Sequence, residues 1–218
     1  MKDRRIPGWA SCTAALVLAC QQTVVANEPI AGGPCEGCEA VFVGRPATLA
    51  SSARIATANE PGEPLVLEGT VRHPDGAVAP GVIVYAYHTN AAGIYPRATG
   101  PDATRHGRLR GFALTGAKGE YRFETIRPGS YPNSDNPQHI HMHIVEPGRC
   151  TYWIDDVHFA DDPLLKAEHR TAAPGRGGSG IAEPVKQASG VWHVRRDIVL
   201  GAGVRDYDAC SRKDDRKK

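Results

Sequence analysis

Apolar positions recur along the chain in short bursts, separated by residues that favour turns. Leu65-Val66-Leu67-Glu68-Gly69-Thr70-Val71 is aliphatic and β-branched, and Pro74-Asp75-Gly76 beyond it has the chemistry of a turn. Val82-Ile83-Val84-Tyr85-Ala86-Tyr87-His88 reads as a second strand, and Gly111-Phe112-Ala113-Leu114-Thr115 as a third. Between them runs a long connection, Asn90 to Arg110, rich in Gly, Pro and Arg. Past a Lys118-Gly119 turn, Tyr121-Arg122-Phe123-Glu124-Thr125-Ile126 alternates with the period of a half-buried strand. His139-Ile140-His141-Met142-His143-Ile144-Val145 alternates again, and Val191 to Leu200 ends the series. Only Asp161 to Arg170 has a helical period, and residues 171–180 have the composition of a loop. Short strands with turn residues between them predict an all-β domain, a β-sandwich, over residues 65–200.

Composition agrees with this pattern. The 24 glycines and 17 prolines suit a fold of many corners, and 41% hydrophobic residues supply a core. Charged residues at 23% exclude a disordered chain. Aromatic residues make up only 6%, so each tyrosine carries more information than usual.

The ends differ from the middle. Lys2, Arg4 and Arg5 precede an apolar stretch, Trp9 to Ala19, too short for a permanent membrane helix. Residues 1–26 therefore read as an export signal, cleaved after Val24-Val25-Ala26, or as a lipoprotein signal ending before Cys20. The expected location is periplasmic or extracellular, with membrane attachment only through a lipid on Cys20. Removing residues 1–26 takes away three basic groups and one acidic one, so the net charge falls from +2 to zero. A neutral chain offers no electrostatic case for binding nucleic acid. Residues 27–64 read as an N-terminal extension with one short apolar stretch, Ala40 to Val43. Residues 201–218 read as a tail whose basic end, Arg212 to Lys218, is solvated.

Cys35, Cys38, Cys150 and Cys210 remain beyond the signal. An even number in an exported chain predicts two disulfides, with all three pairings open.

The chemistry lies in His139-x-His141-x-His143. Side chains alternate across a strand, so these imidazoles share a face while Ile140, Met142 and Ile144 point into the apolar layer. Three on one face beside a Tyr-Pro turn favour a metal site. Tyrosines are the polar residues nearest in sequence, and two phenolates with two imidazoles suit a trivalent ion. Tyr87 to Tyr95 (YHTNAAGIY), Ile126 to Pro132 (IRPGSYP), Pro137 to His141 (PQHIH) and Asp155 to Leu164 (DDVHFADDPL) resemble the intradiol ring-cleavage dioxygenases. The resemblance implies a non-haem Fe(III) held by Tyr95, Tyr131, His139 and His141, with Tyr131 leaving the metal as substrate binds. It implies a catechol-type substrate, O2 as co-substrate and a muconate-type diacid as product. One departure stands out. Such enzymes carry an arginine three residues before the first histidine, where this chain has Asn136. The electrostatic help such an arginine gives must then come from elsewhere, from Arg97 or Arg127, or be missing. Two other readings stay open at this stage: a non-catalytic transthyretin-like binding module, and zinc or copper bound by His139, His141 and His143. His88, His106, His158 and His193 carry no readable spacing, Arg195 and Arg196 read as a solvated edge, and Trp153 and Trp192 read as core aromatics.

Overall fold

The computed structural model describes residues 28–35, 37–171 and 175–210. The expected signal segment with Cys20, and the basic end of the tail, lie outside the described residues. In chain order the strands are β1 (Ser52–Arg54), β2 (Pro64–Arg72), β3 (Ile83–Tyr87), β4 (Arg110–Leu114), β5 (Glu120–Ile126), β6 (His139–Glu146), β7 (Cys150–Phe159), β8 (Ile181–Ala182), β9 (Val185–Lys186), β10 (Trp192–Arg195) and β11 (Ile198–Val199). Among the described residues the α-helix α1 (Ala167–Thr171) falls at the end of the segment with helical period.

The strands form two sheets, as an all-β sandwich requires. The first runs β1-β5-β2-β10-β9, with β11 also paired to β2. The second runs β4-β3-β6-β7-β8. Leu65, Leu67, Tyr121 and Phe123 from the first sheet meet Val84, Ala86, Ile140, Met142 and Ile144 from the second in one buried cluster. Each large aliphatic side chain buried there contributes roughly 1.5–3 kcal/mol. The alternation in β6 thus does what its pattern predicts, sending the isoleucines and Met142 inward and the histidines outward.

The second sheet is unusual in being covered on its outer face too. Every residue of β3 is buried. Val84 and Ala86 face the core, while Ile83, Tyr85 and Tyr87 pack outward with Val41, Phe112 and Val145. The cover includes a short 3-10 helix, Cys38–Phe42, and part of the long connection after β3. A second layer on a half-polar face leaves room there for a site shielded from water.

The composition boundaries at residues 65 and 200 do not mark breaks in the structure. Thr151 donates its N–H to Pro29 O and accepts one from Ala31, both at 2.8 Å. β1 pairs in parallel with β5, and Ile55 and Ala56 enter the core. At the other end Val204, Tyr207 and Cys210 are core residues. These segments contribute apolar residues one at a time, so no periodic pattern announces them. The disulfides are Cys35–Cys38 and Cys150–Cys210.

Two expectations need correcting. Arg195 is exposed beside Asp197, as an edge residue should be, but Arg196 is 1% exposed. It sits where the ladder along β2 is interrupted between β10 and β11, and its guanidinium donates to the carbonyls of Arg176, Gly177, Gly178 and Asp197. An interrupted ladder leaves buried carbonyls in need of donors, which a guanidinium supplies. Trp192 packs against the core, but Trp153 lies on the outer face, with the Arg176 guanidinium 3.4 Å above its ring.

Candidate metal centre

The four residues singled out in the sequence meet at one point. Tyr95 Oη lies 2.7 Å from Tyr131 Oη and 2.8 Å from His141 Nε2. Tyr131 Oη is 3.1 Å from His139 Nε2 and 3.3 Å from His141 Nε2, and the two Nε2 atoms are 3.2 Å apart. Donors about 2 Å from a common first-row ion lie roughly 3 Å apart when neighbouring bonds are near perpendicular. The spacing of this quartet fits that condition.

The proton positions strengthen the fit. His139 Nδ1 donates to Pro137 O at 2.7 Å, since a carbonyl can only accept. His141 Nδ1 donates to Asp156 Oδ1 at 2.9 Å. Burial pushes the Asp156 carboxyl up, but the bond from His141 and the surrounding imidazoles outweigh it and leave the group below its ordinary range, ionised. With Nδ1 occupied in each ring, Nε2 is the nitrogen left to meet a metal, and the two Nε2 atoms lie 3.2 Å apart. A cation at the centre of the quartet would bond to both. Burial, helped by the neighbouring His141, also lowers the pKa of His139 and keeps its imidazole neutral. Burial raises both phenols, Tyr95 further through its bond to Tyr131. Coordination as phenolate must displace those two protons, so metal binding weakens as pH falls.

Local structure explains how the residues reach these places. Asp156 owes its position to an irregularity in the ladder: Ile140 faces Val157 and Met142 faces Ile154, so Asp155 and Asp156 together oppose His141. Just before β6, the Gln138 N–H is held by the buried Asp162 carboxylate at 2.6 Å. The tyrosines sit on two loops buckled together. Asn90 Oδ1 accepts the N–H groups of Ala92 and Ile94, and Asn90 O accepts that of Gly129. Thr89 Oγ1 donates to Gly129 O at 2.8 Å. Where the loops touch, Gly93 has φ +76°, and a Cβ there would stand 1.8 Å from Ser130 O, one residue before Tyr131.

Gly93→Ala is thus expected to destabilise the fold by about 3 kcal/mol and to spread Tyr95 from Tyr131. Thermal unfolding and ferric-iron titration of the variant check this. An unchanged melting temperature with full iron binding would show that the loops are not set by this contact.

The other candidates divide clearly. His143 is on the same strand face but outside the quartet, its Nε2 lying 3.6 Å from Cys35 Sγ. His88 is buried in a structural role, bonded to Thr125 Oγ1 and Thr89 O, with burial lowering its pKa to about 4. Arg127 is committed elsewhere: it binds Gln138 Oε1 and the Asp161 carboxylate, and its guanidinium lies over Phe159 and Trp192. Arg97 and Asn136 are exposed. Sequence reasoning missed Asp156 as the partner of His141. Fifteen residues separate them, and only the cross-strand register brings them together.

An all-β sandwich that gathers two tyrosines and two histidines above one strand has relatives of known name. The sequence model of the family described as Dioxygenase matches residues 39–200, and the chain belongs to the intradiol dioxygenases. It is 33% identical over 123 residues to catechol 1,2-dioxygenase 1 of Acinetobacter lwoffii, covering 49% of this chain and 39% of that one. Identity to the protocatechuate 3,4-dioxygenase beta chain of Burkholderia cepacia is 33% over 112 residues, 48% of each. Hydroxyquinol 1,2-dioxygenase of Nocardioides simplex matches at 28% over 218 residues, 84% of this chain and 70% of that one. The match thus spans less than half the length of the first two relatives. Among solved structures, the dioxygenase domain of a dioxygenase and carbohydrate-binding fusion from Streptomyces sp. SirexAA-E superposes with TM-score 0.54 at 24% identity, over 72% of this chain and 92% of that one. Catechol 1,2-dioxygenase from Pseudomonas arvilla C-1 superposes with TM-score 0.57 at 21% identity, over 87% and 66%. At these identities the structural likeness speaks for the fold.

Proposed function

We propose that this protein is a non-haem iron dioxygenase that cleaves a catechol-type ring between its two hydroxyl-bearing carbons, using O2 and yielding a muconate-type diacid. The observation that carries the reading is the convergence of Tyr95 Oη, Tyr131 Oη, His139 Nε2 and His141 Nε2, with both histidines held by their far nitrogens. These four residues would hold Fe(III), whose Lewis acidity draws electron density from a bound catecholate and makes a ring carbon reactive toward O2. The chain's own part is to position and to hold protons. Asp156 and Pro137 O fix the imidazole tautomers and ring planes, as outer partners of metal-binding histidines do. Tyr131 is the residue that takes a proton from the incoming diol at its Oη, and burial, which raises its pKa, lets it keep that proton. Tyr87 stacks on the His141 ring at 4.5 Å and limits its rotation.

The test is a visible spectrum of the iron-loaded protein before and after catechol is added without oxygen, followed by oxygen uptake on a panel of diols. A red-brown band that shifts with catechol, and oxygen consumption with at least one diol, are the expected results. A protein that stays colourless after iron loading sinks the proposal.

We also propose that residues 1–26 direct export, a reading that two disulfides favour. The substrates would then lie outside the cytoplasm, among lignin-derived phenols, tannins or catecholate siderophores. N-terminal sequencing of the exported protein, with a search for lipid on Cys20, decides between free export and anchoring. An unprocessed chain in the cytoplasm would remove this part of the proposal.

A further inference from the structure

A second group of metal-binding atoms lies on the same sheet face, one step along β6 from the quartet. Cys35, Cys38 and His143 each offer one donor atom, and the three lie within 4.8 Å of one another. Cys38 and His143 are buried and Cys35 is half-buried. Cys35 Sγ stands 3.6 Å from His143 Nε2, and His143 Nδ1 is buried with no hydrogen-bond partner. A fourth donor points at the same loop. His106 is held through Nδ1 by Tyr85 Oη at 2.9 Å, and its Nε2 is buried and unpartnered. That atom sits 2.6 Å from where a Cβ on Gly37 would be, beside Cys38. The His106 and His143 ring centroids are 6.1 Å apart. Buried imidazole nitrogens rarely go without a partner, and His106 Nε2, with none among the described residues, faces the loop that carries both sulfurs.

The two disulfides have different mechanical duties. Cys150–Cys210 ties residues 60 apart, whereas Cys35–Cys38 spans a separation of 3 and restrains little of the unfolded chain. Opening the smaller one therefore leaves the sandwich held. Cys35 also lines a cavity of about 480 Å3, shared with Trp153 and His141, through which a small reductant or ion can reach it.

We propose that reduction of Cys35–Cys38 converts this cluster into a zinc-class metal site with Cys35, Cys38 and His143 as ligands, completed as His106 Nε2 moves in as the fourth donor. A dithiol reductant gives two electrons and two protons to the disulfide and leaves as its own disulfide. A divalent ion then binds both sulfurs as thiolates and displaces their two protons to solvent. Two thiolates and two imidazoles form a closed tetrahedral set, which is structural rather than catalytic in character. This site stands apart from the iron proposal, because its sulfur ligands give it a signature that the quartet lacks.

The experiment uses the full exported chain, reduced by a dithiol, desalted without oxygen and titrated with Co2+ and then Zn2+. Mass spectrometry after thiol labelling identifies which pair has opened. The expected result is a thiolate-to-cobalt charge-transfer band with tetrahedral ligand-field bands, bleached by one equivalent of zinc, and absent from the oxidised protein. Cys35→Ser should abolish the charge-transfer band, and His143→Ala should weaken zinc binding by more than about a hundredfold, beyond the loss typical of an outer partner. The inference is overturned if the reduced protein gives no such band, or if zinc binding is unchanged in Cys35→Ser. It is equally overturned if Cys35–Cys38 stays closed until the chain unfolds.

Discussion

On the proposed ferric centre, Tyr95→Phe and Tyr131→Phe are each expected to remove or shift the visible band of the iron-loaded protein and to lower ring-cleavage turnover by more than about a hundredfold. The floor is the loss seen when only an outer partner of a metal ligand is removed, and a ligand itself should matter more. The reasoning is electrostatic. With their Nδ1 protons given to Pro137 O and Asp156, imidazoles that bind a metal through Nε2 do so as neutral ligands. Charge on a ferric ion is then offset by the phenolates alone, and losing either leaves a doubly positive centre in a shielded place, which is costly. Phenylalanine keeps the ring that packs against Tyr87 or His139, so folding is preserved and the readout is chemical. Zinc or copper bound by His139, His141 and His143 predicts the opposite, with metal content indifferent to both substitutions. The geometry already disfavours that trio, since His143 Nε2 faces Cys35 rather than the quartet. Equal iron content and an unchanged spectrum in both variants would remove the tyrosines from the centre.

What could be read in the chain, and what could not, follows from range. The His-x-His alternation needs only the geometry of a single strand, so the facing of Ile140, Met142 and Ile144 into the core was legible. The tyrosines were legible by resemblance rather than by spacing, because the turns that aim them depend on contacts such as Gly93 against Ser130. Asp156 was not legible. Its role depends on a one-residue slip between β6 and β7, and a slip leaves no mark in either strand's own pattern. Arg196 misled for a similar reason: beside Arg195 it looks like surface, and only the interruption between β10 and β11 makes it a donor to buried carbonyls. The pairing of the cysteines also lay beyond the sequence, because Cys150 and Cys210 meet only after the C-terminal segment folds back onto β7.

That long-range pairing leads to the largest stability effect expected in the molecule. Replacing Cys150 and Cys210 together by Ala should lower stability by about 4 kcal/mol, the chain-entropy value for a ring of this size. The cost falls mainly on the unfolded state, which regains freedom over the 60-residue separation. The native side adds to it. Arg149 donates to Cys210 O at 2.8 Å and to Tyr207 Oη at 2.7 Å, and its guanidinium lies 4.0 Å from the Tyr207 ring centroid. Tyr207 in turn packs edge-on against Tyr152 of β7, so the bridge fastens a small polar and aromatic clasp over the start of that strand. The far part of β7 carries Asp156, and the quartet should survive the substitution in whatever fraction stays folded. Urea unfolding monitored by tryptophan fluorescence, with the iron band followed in parallel, separates the two effects. The midpoint should fall sharply for Cys150→Ala/Cys210→Ala and far less for Cys35→Ser/Cys38→Ser, with the spectrum of the native baseline unchanged in both. If the two pairs prove equally costly to remove, ring size does not govern their contribution, and the small disulfide carries a native-state load that its short span does not suggest.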